Sequence, residues 1–287
     1  LAAQVHYDPD EEIDNVIVRA GVWGYLDDAA GTYTGTPNAR IRYAADVVLY
    51  LLRRVLGVPA EKIDTTSFLA ARGASGANGF KDRALSVYLS EPMPFRELLN
   101  RIERTVLADI APDGDGVWHF DVYASGTPAD VEDFSDADYL AFSTELPEDL
   151  IYAGVRVRHS NAGMPRQEWL ALDLLHGDGL ALMLEDRRLE VYSYADGQSG
   201  LPQQEAWARE LGQEFVNVIA ARPRRFTFEA ATKLRDKRLG RKVRLTRTRG
   251  VDKSGALTNV LCRIVGLRHD DISGVSRCTA IEDVGLS

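Results

Sequence analysis

The residues best able to do chemistry in this chain are its carboxylates, its five histidines and its two cysteines. Asp113-Gly114-Asp115-Gly116 has the opening of a calcium loop. An EF-hand then needs an acid at the twelfth position, where Ala124 stands, so the run reads as a hairpin turn. The histidines are His6, His119, His159, His176 and His269. No two lie three or four residues apart and no His-Glu-x-x-His occurs, so no helix offers a zinc-binding pair. His119 alternates with Trp118 and Phe120, which puts it on the strand face opposite those rings. The Gly-x-Ser-x-Gly turn that exposes a nucleophilic serine is missing, and so is a Gly-x-x-x-x-Gly-Lys phosphate cradle. Cys262 lies in an apolar run and reads as a small buried hydrophobe. Cys278 follows Arg277 but has no histidine near it in sequence. Their spacing fits neither a disulfide framework nor a zinc site, so two free thiols are expected.

Glycoside hydrolysis needs two carboxylates a few ångström apart. Glu145 with Glu148, or Asp136 with Asp138, would serve, but with 43 acids nothing singles them out. The sequence therefore assigns no catalytic, cofactor-binding or metal-binding residue, and no cofactor.

Charge carries more information. Residues 105–149 hold twelve acids and no Lys or Arg. Residues 222–249 hold twelve basic residues against only Glu229 and Asp236. Such one-sided stretches suit complementary faces in a repeating assembly, where opposite charges fix register. The candidate interface residues are Arg241, Lys242 and Arg244 on the basic side, with Asp133, Asp136 and Asp138 on the acidic side. The basic stretch has two aromatics, Phe226 and Phe228, too few for a platform that stacks single-stranded bases. The net charge of −9 also argues against a dedicated nucleic-acid binder.

The elements that must position these residues follow from periodicity. Ala44, Val47, Val48, Leu51, Leu52, Val55 and Leu56 form one stripe of a helix over 43–57, with Gly57 at the cap position. A short helix starts near Ile63-Asp64, and a further helix covers 94–108 with Phe95, Leu98, Leu99, Ile102 and Val106 on its apolar face. Strands are expected at 16–20, 85–89 and 117–123. Strands at 151–158 and 189–194 precede a helix at 203–221, after which come β segments at 225–230, 242–247, 259–267 and 279–284.

The fold class is α+β: a small α/β module over 31–125, then a β-barrel-like region over 151–287 with one packed helix. Residues 1–30 are an entering β segment and 126–150 an acidic linker. A chain of 287 residues, 45% hydrophobic and 27% charged, is long and apolar enough for about two domains. No window approaches ~18 uninterrupted apolar residues, so no membrane-spanning segment is expected. The chain opens at Leu1 and runs into Asp8, Asp10, Glu11, Glu12 and Asp14, which reads as the interior of a longer polypeptide.

Several stretches together resemble the tail-tip and baseplate-hub proteins of tailed bacteriophages. They are Gly31-Thr32-Tyr33-Thr34-Gly35-Thr36-Pro37 leading into Ala45-Asp46-Val47-Val48-Leu49-Tyr50; Leu56-Gly57-Val58-Pro59; Val87-Tyr88-Leu89-Ser90-Glu91-Pro92; Leu239-Gly240-Arg241-Lys242-Val243-Arg244; and Cys262-Arg263-Ile264-Val265-Gly266-Leu267. The family usually places an acid after the glycine, where this chain has Arg241. The resemblance implies a non-enzymatic virion component at the tail tip, assembled in the host cytoplasm. Its partners would be other tail and baseplate proteins and its own copies in a homotrimer, with DNA passing through the assembly. A tail-associated carboxylate hydrolase and a hub component of a gene-transfer particle or secretion tube are the alternatives.

Overall fold

The computed structural model describes residues 17–18, 25–73, 84–85, 87, 92–122, 131–147, 152–160, 169–175, 188–193, 201–221, 223–231, 233–235, 237–252, 255–270 and 272–284. In chain order the elements are β1 (Ile17–Val18), α1 (Ala44–Tyr50), α2 (Thr65–Gly73), β2 (Met93–Pro94), α3 (Phe95–Val106), β3 (Ala108–Pro112) and β4 (Trp118–Val122). Next come β5 (Glu132–Phe134), β6 (Ala141–Glu145), β7 (Gly154–Ser160), β8 (Trp169–Leu175), β9 (Arg188–Ser193) and α4 (Leu201–Ala220). The last four are β10 (Arg225–Ala230), β11 (Lys242–Asp252), β12 (Gly255–Asp270) and β13 (Val275–Glu282). The mixed α+β class is as expected, and the described residues divide into three cores.

The first core is the α/β module. The stripe of α1 is buried through Val47, Val48, Leu51 and Leu52, and the helix ends in a π-helical turn, Leu51–Val55. Gly57 then takes the left-handed conformation at φ 71°, where a side chain would be strained. Asp64 caps α2: its Oδ1 accepts from the Thr66 N–H at 3.1 Å, satisfying a donor the first turn leaves open. In α3, Phe95, Leu98, Leu99, Ile102 and Val106 are buried. The antiparallel β3–β4 ribbon turns at Asp113, whose Oδ1 accepts from the Asp115 and Val117 N–H groups at 3.0 and 2.9 Å. This is the hairpin turn the sequence suggests. Trp118 and Phe120 point into the core against Phe95 and Phe68. Of the strand expected at 85–89, only Leu85 and Val87 are described; Leu85 donates its N–H to Arg42 O, and the other positions lie outside the described residues.

The second core is a six-stranded sheet in the order β5-β11-β12-β13-β10-β6, antiparallel except for the β5–β11 pair. Its inner face carries Phe134, Phe226, Phe228, Val243, Leu245, Cys262, Ile264, Cys278 and Ala280. The sheet is rolled, but it is not a closed barrel: β5 and β6, its two edges, are not paired with each other. Both edges come from the stretch expected to be an acidic linker, 126–150. The correction has a physical cause: Phe134 and Phe142 fill inward positions, while the acids beside them face the basic strands.

The third core is the three-stranded sheet β8-β7-β9 covered by α4. This unit lies in sequence between β6 and β10, so it interrupts the six-stranded sheet. It joins the α/β module through α3. Thr105 Oγ1 donates to Tyr192 O at 2.9 Å, and the Arg101 guanidinium lies 4.1 Å from the Tyr192 ring centroid.

Two predictions follow from this packing. At Gly212 of α4, an added Cβ would meet Leu174 Cδ1 at 2.2 Å and Val157 Cγ2 at 2.8 Å. Alanine normally stabilises a helix relative to glycine by ~1 kcal/mol. Here overpacking reverses the sign, and Gly212→Ala should lower stability by ~1–3 kcal/mol in urea denaturation. A gain in stability would show that α4 does not press on β7 and β8 at this point.

The second concerns Glu103 of α3. Burial pushes its carboxyl up to about 7, against the pull of Arg96 and the Ile110 N–H, which it accepts at 2.9 Å. The folded form therefore holds its proton more tightly than the unfolded chain. Stability from this group is complete below the ordinary Glu range and is lost as pH rises through about 7. Asp46, raised by burial to about 6 despite Arg72, acts in the same direction. Glu103→Gln keeps an acceptor for Ile110 without the buried charge. It should remove roughly 1–3 kcal/mol of the decline between pH 5 and 8. An unchanged pH profile would count against the burial argument.

Candidate functional site

The acidic and basic stretches meet within one chain. Arg244 of β11 donates to Asp133 of β5 at 2.7 Å. Asp136 accepts from the Thr248 N–H at 2.9 Å and from its hydroxyl, and lies 3.4 Å from Arg247 Nη1. Asp138 pairs with Lys233 at 2.9 Å and accepts from the Ser135 N–H and hydroxyl. Lys237 pairs with Glu132 at 3.3 Å, and Arg225 of β10 with Glu145 of β6 at 2.9 Å. The hydroxyl and N–H donors of Thr248 hold the Asp136 carboxyl below its usual range. Burial pushes Asp138 up, but the Lys233 and Ser135 hydrogen bonds outweigh it and leave that carboxyl low as well.

Of the six candidate interface residues, only Asp133 and Arg244 touch each other. Asp136 and Asp138 sit on the connection between β5 and β6. Arg241 stands just before β11; its N–H donates to Arg238 O and its carbonyl accepts from Ile264 at 2.9 Å. Gly240, at φ 80°, rests on β3: a Cβ there would lie 2.4 Å from Asp109 Oδ2. Lys242 is not a rim residue. Its ammonium is 2.6 Å from Asp283 Oδ2, and the two side chains are only 7% and 6% exposed. Arg263 reaches the same carboxylate at 3.4 Å.

The hydrolytic candidates are tied up differently. Glu145 is engaged by Arg225, while Asp136 and Asp138 hold hydroxyl and cationic partners. Glu148 lies outside the described residues. Cys262 and Cys278 are buried and unbonded. Burial pushes both thiols up, Cys278 to about 12, which suppresses the reactive thiolate. Among the described residues no group of three or more His, Cys, Asp or Glu is arranged to hold a metal ion.

Sequence reading missed one polar cluster. His119 is buried on the face of β4 opposite Trp118 and Phe120, as its alternation implies. Its Nδ1 is 3.0 Å from Asp64 Oδ2 and its Nε2 is 2.9 Å from Asp113 Oδ2. Arg238, from the connection between β10 and β11, touches Nδ1 with Nη1, donates to Asp121 Oδ1 from Nη2 at 3.0 Å, and brings Nε 3.0 Å from Asp121 Oδ2. Burial pushes Asp64 and Asp113 up. The His119 contact and nearby backbone N–H donors more than offset this, so both carboxyls lie below their usual range. Only the strand alternation pointed to this site; Asp64 and Arg238 are 55 and 119 residues away in sequence.

These burials predict a contrast. Removing one partner of a buried ion pair weakens the compensation of the charge that stays, so Lys242→Ala should cost more than ~1 kcal/mol, and less than the ~3–5 kcal/mol of a fully orphaned buried charge because Arg263 still lies 3.4 Å from Asp283. Arg244→Ala breaks a pair whose Asp133 side chain is 69% exposed and should cost at most ~1 kcal/mol. Equal costs in denaturant titration would overturn the distinction.

No family model matches the chain, and no curated protein matches it. A solved structure shares its fold. A chain from the virion of a native gene transfer agent particle aligns with 89% of this chain at a TM-score of 0.52 and 16% identity. The tail protein from Neisseria meningitidis MC58 aligns with 70% at 0.42 and 14% identity, covering 59% of that protein. The 43 kDa tail protein of prophage MuSo2 from Shewanella oneidensis aligns with 68% at 0.40 and 14%, covering 57% of it. This chain spans 51% of the gene transfer agent chain, and what the two share is a fold.

Proposed function

We propose that this chain is a structural, non-enzymatic component of the tail of a phage or phage-derived particle. Its place would be the tail tip or baseplate hub, and it acts through contacts between subunits. The observation that supports this reading is the alignment of 89% of the chain with a virion protein of a gene transfer agent. That match also favours the gene-transfer-particle form of the reading. The tail-hub resemblance of the sequence points the same way. The chain would assemble in the host cytoplasm, join other tail proteins in the virion and form a trimeric ring through which DNA can pass.

The charged seam fits a modest role at such an interface. Its acids and bases already neutralise each other within one chain, so rim charges such as Asp133 and Arg244 would set register rather than supply affinity. Apolar contacts would supply most of the burial.

Light scattering of the full chain, alone and mixed with the tail proteins encoded beside it, tests the proposal. A symmetric oligomer or a defined co-complex is expected. Charge reversal at Arg241 and Arg244 should slow association at low salt and have little effect at high salt, because screening acts over about 8–10 Å. A chain that stays monomeric in every mixture would overturn the structural role. Cell-wall clearing that is lost in Glu145→Gln would replace it with the hydrolase.

A further inference from the structure

The His119 cluster contains a conflict that a single proton resolves. Asp113 only accepts, so the Nε2 facing it at 2.9 Å carries a hydrogen in either charge state of the ring. Nδ1 faces two partners with opposite demands. Asp64 Oδ2, at 3.0 Å, accepts and needs a hydrogen on Nδ1. Arg238 Nη1 only donates and needs the Nδ1 lone pair. Both cannot be satisfied at once. Imidazole is the side chain that ordinarily changes charge between about pH 5 and 8.

We propose that His119 is a proton-operated switch on the contact between the α/β module and the six-stranded sheet. When the ring is neutral, Nδ1 accepts from Arg238 and the module is tied to the β10–β11 connection. When the ring is protonated, Nδ1 donates to Asp64. Arg238 is then repelled from the imidazolium and keeps only Asp121.

Other charged groups surround the ring. Asp64 and the Lys62 side chain, which donates to Asp115 O at 2.7 Å, approach from the α2 side. Asp113 and Asp115 lie in the ribbon turn, and Asp121 pairs across the ribbon with Asp109. Arg238 is the group that arrives from the six-stranded sheet, with the Gly240 turn packed on Asp109 beside it. The switch therefore acts where two cores meet, and it stands whether or not the chain works in a tail.

The test follows the His119 Cε1–H and Arg238 Nε–H signals of the full chain by NMR from pH 5 to 8. Both signals should move with one shared midpoint. In His119→Gln the Arg238 signal should lose its pH response, while Asp121 still holds the guanidinium. A histidine with a merely structural role would titrate without moving Arg238. A flat Arg238 signal while His119 titrates would overturn the proposal, and so would a His119 signal that stays fixed across the range. The wild-type titration decides the matter even if the variant does not fold.

Discussion

Six residues lie between Phe134 at the end of β5 and Ala141 at the start of β6, and much of the β architecture depends on that short span. The two strands are opposite edges of one sheet. Five strand spacings in a flat sheet would separate them by about 24 Å. The connection also contains a turn, closed by the Asp138 N–H to Ser135 O bond at 2.9 Å, and so has less reach than an extended chain. The sheet must therefore roll. Rolling brings Arg247 of β11 over the Phe142 ring of β6, 5.3 Å from its centroid, and Phe134 to 5.3 Å from Phe228. The aromatic residues inside are the reason a single sheet can enclose a core without a second layer.

The same geometry governs the electrostatics. Strand pairing sets the acidic edges β5 and β6 directly beside β11 and β10, so the acids of 132–145 face the cations of 225–248. Like charges crowded on either stretch would repel, and the fold relieves this inside one subunit. The deeper pairs behave differently. Lys242, Arg263 and Asp283 lie under the surface, where they fix how β11 and β12 sit against the end of β13.

Some of this was legible in the sequence. The stripes Val47–Leu51 and Leu98–Ile102 repeat at helical spacing, and α1 with its π-helical end and α3 bury them. The αL position at Gly57 and the Asp113 turn announced themselves through local chemistry. The edges β5 and β6 did not, because a density of acids reads as solvent-facing linker until the basic partner strands are known. Trp169–Leu175 carries no decisive signal, because short apolar runs are common to helices and strands. The face of His119 could be read, but its partners could not. A side chain's distant neighbours are set by how units dock, and a single sequence carries no local trace of that.

The interrupted sheet has a consequence for how the chain is made. Arg225 and Glu145 pair across 80 residues, with a whole β-sheet and helix synthesised between them. Contacts so distant in sequence form slowly. During translation β6 emerges well before β10, the strand that covers it, and waits with Leu140 and Leu146 on its flanks. The acids that looked like a linker then have a second use. They act as gatekeepers that keep an unpaired edge soluble until its partner strand arrives from the ribosome.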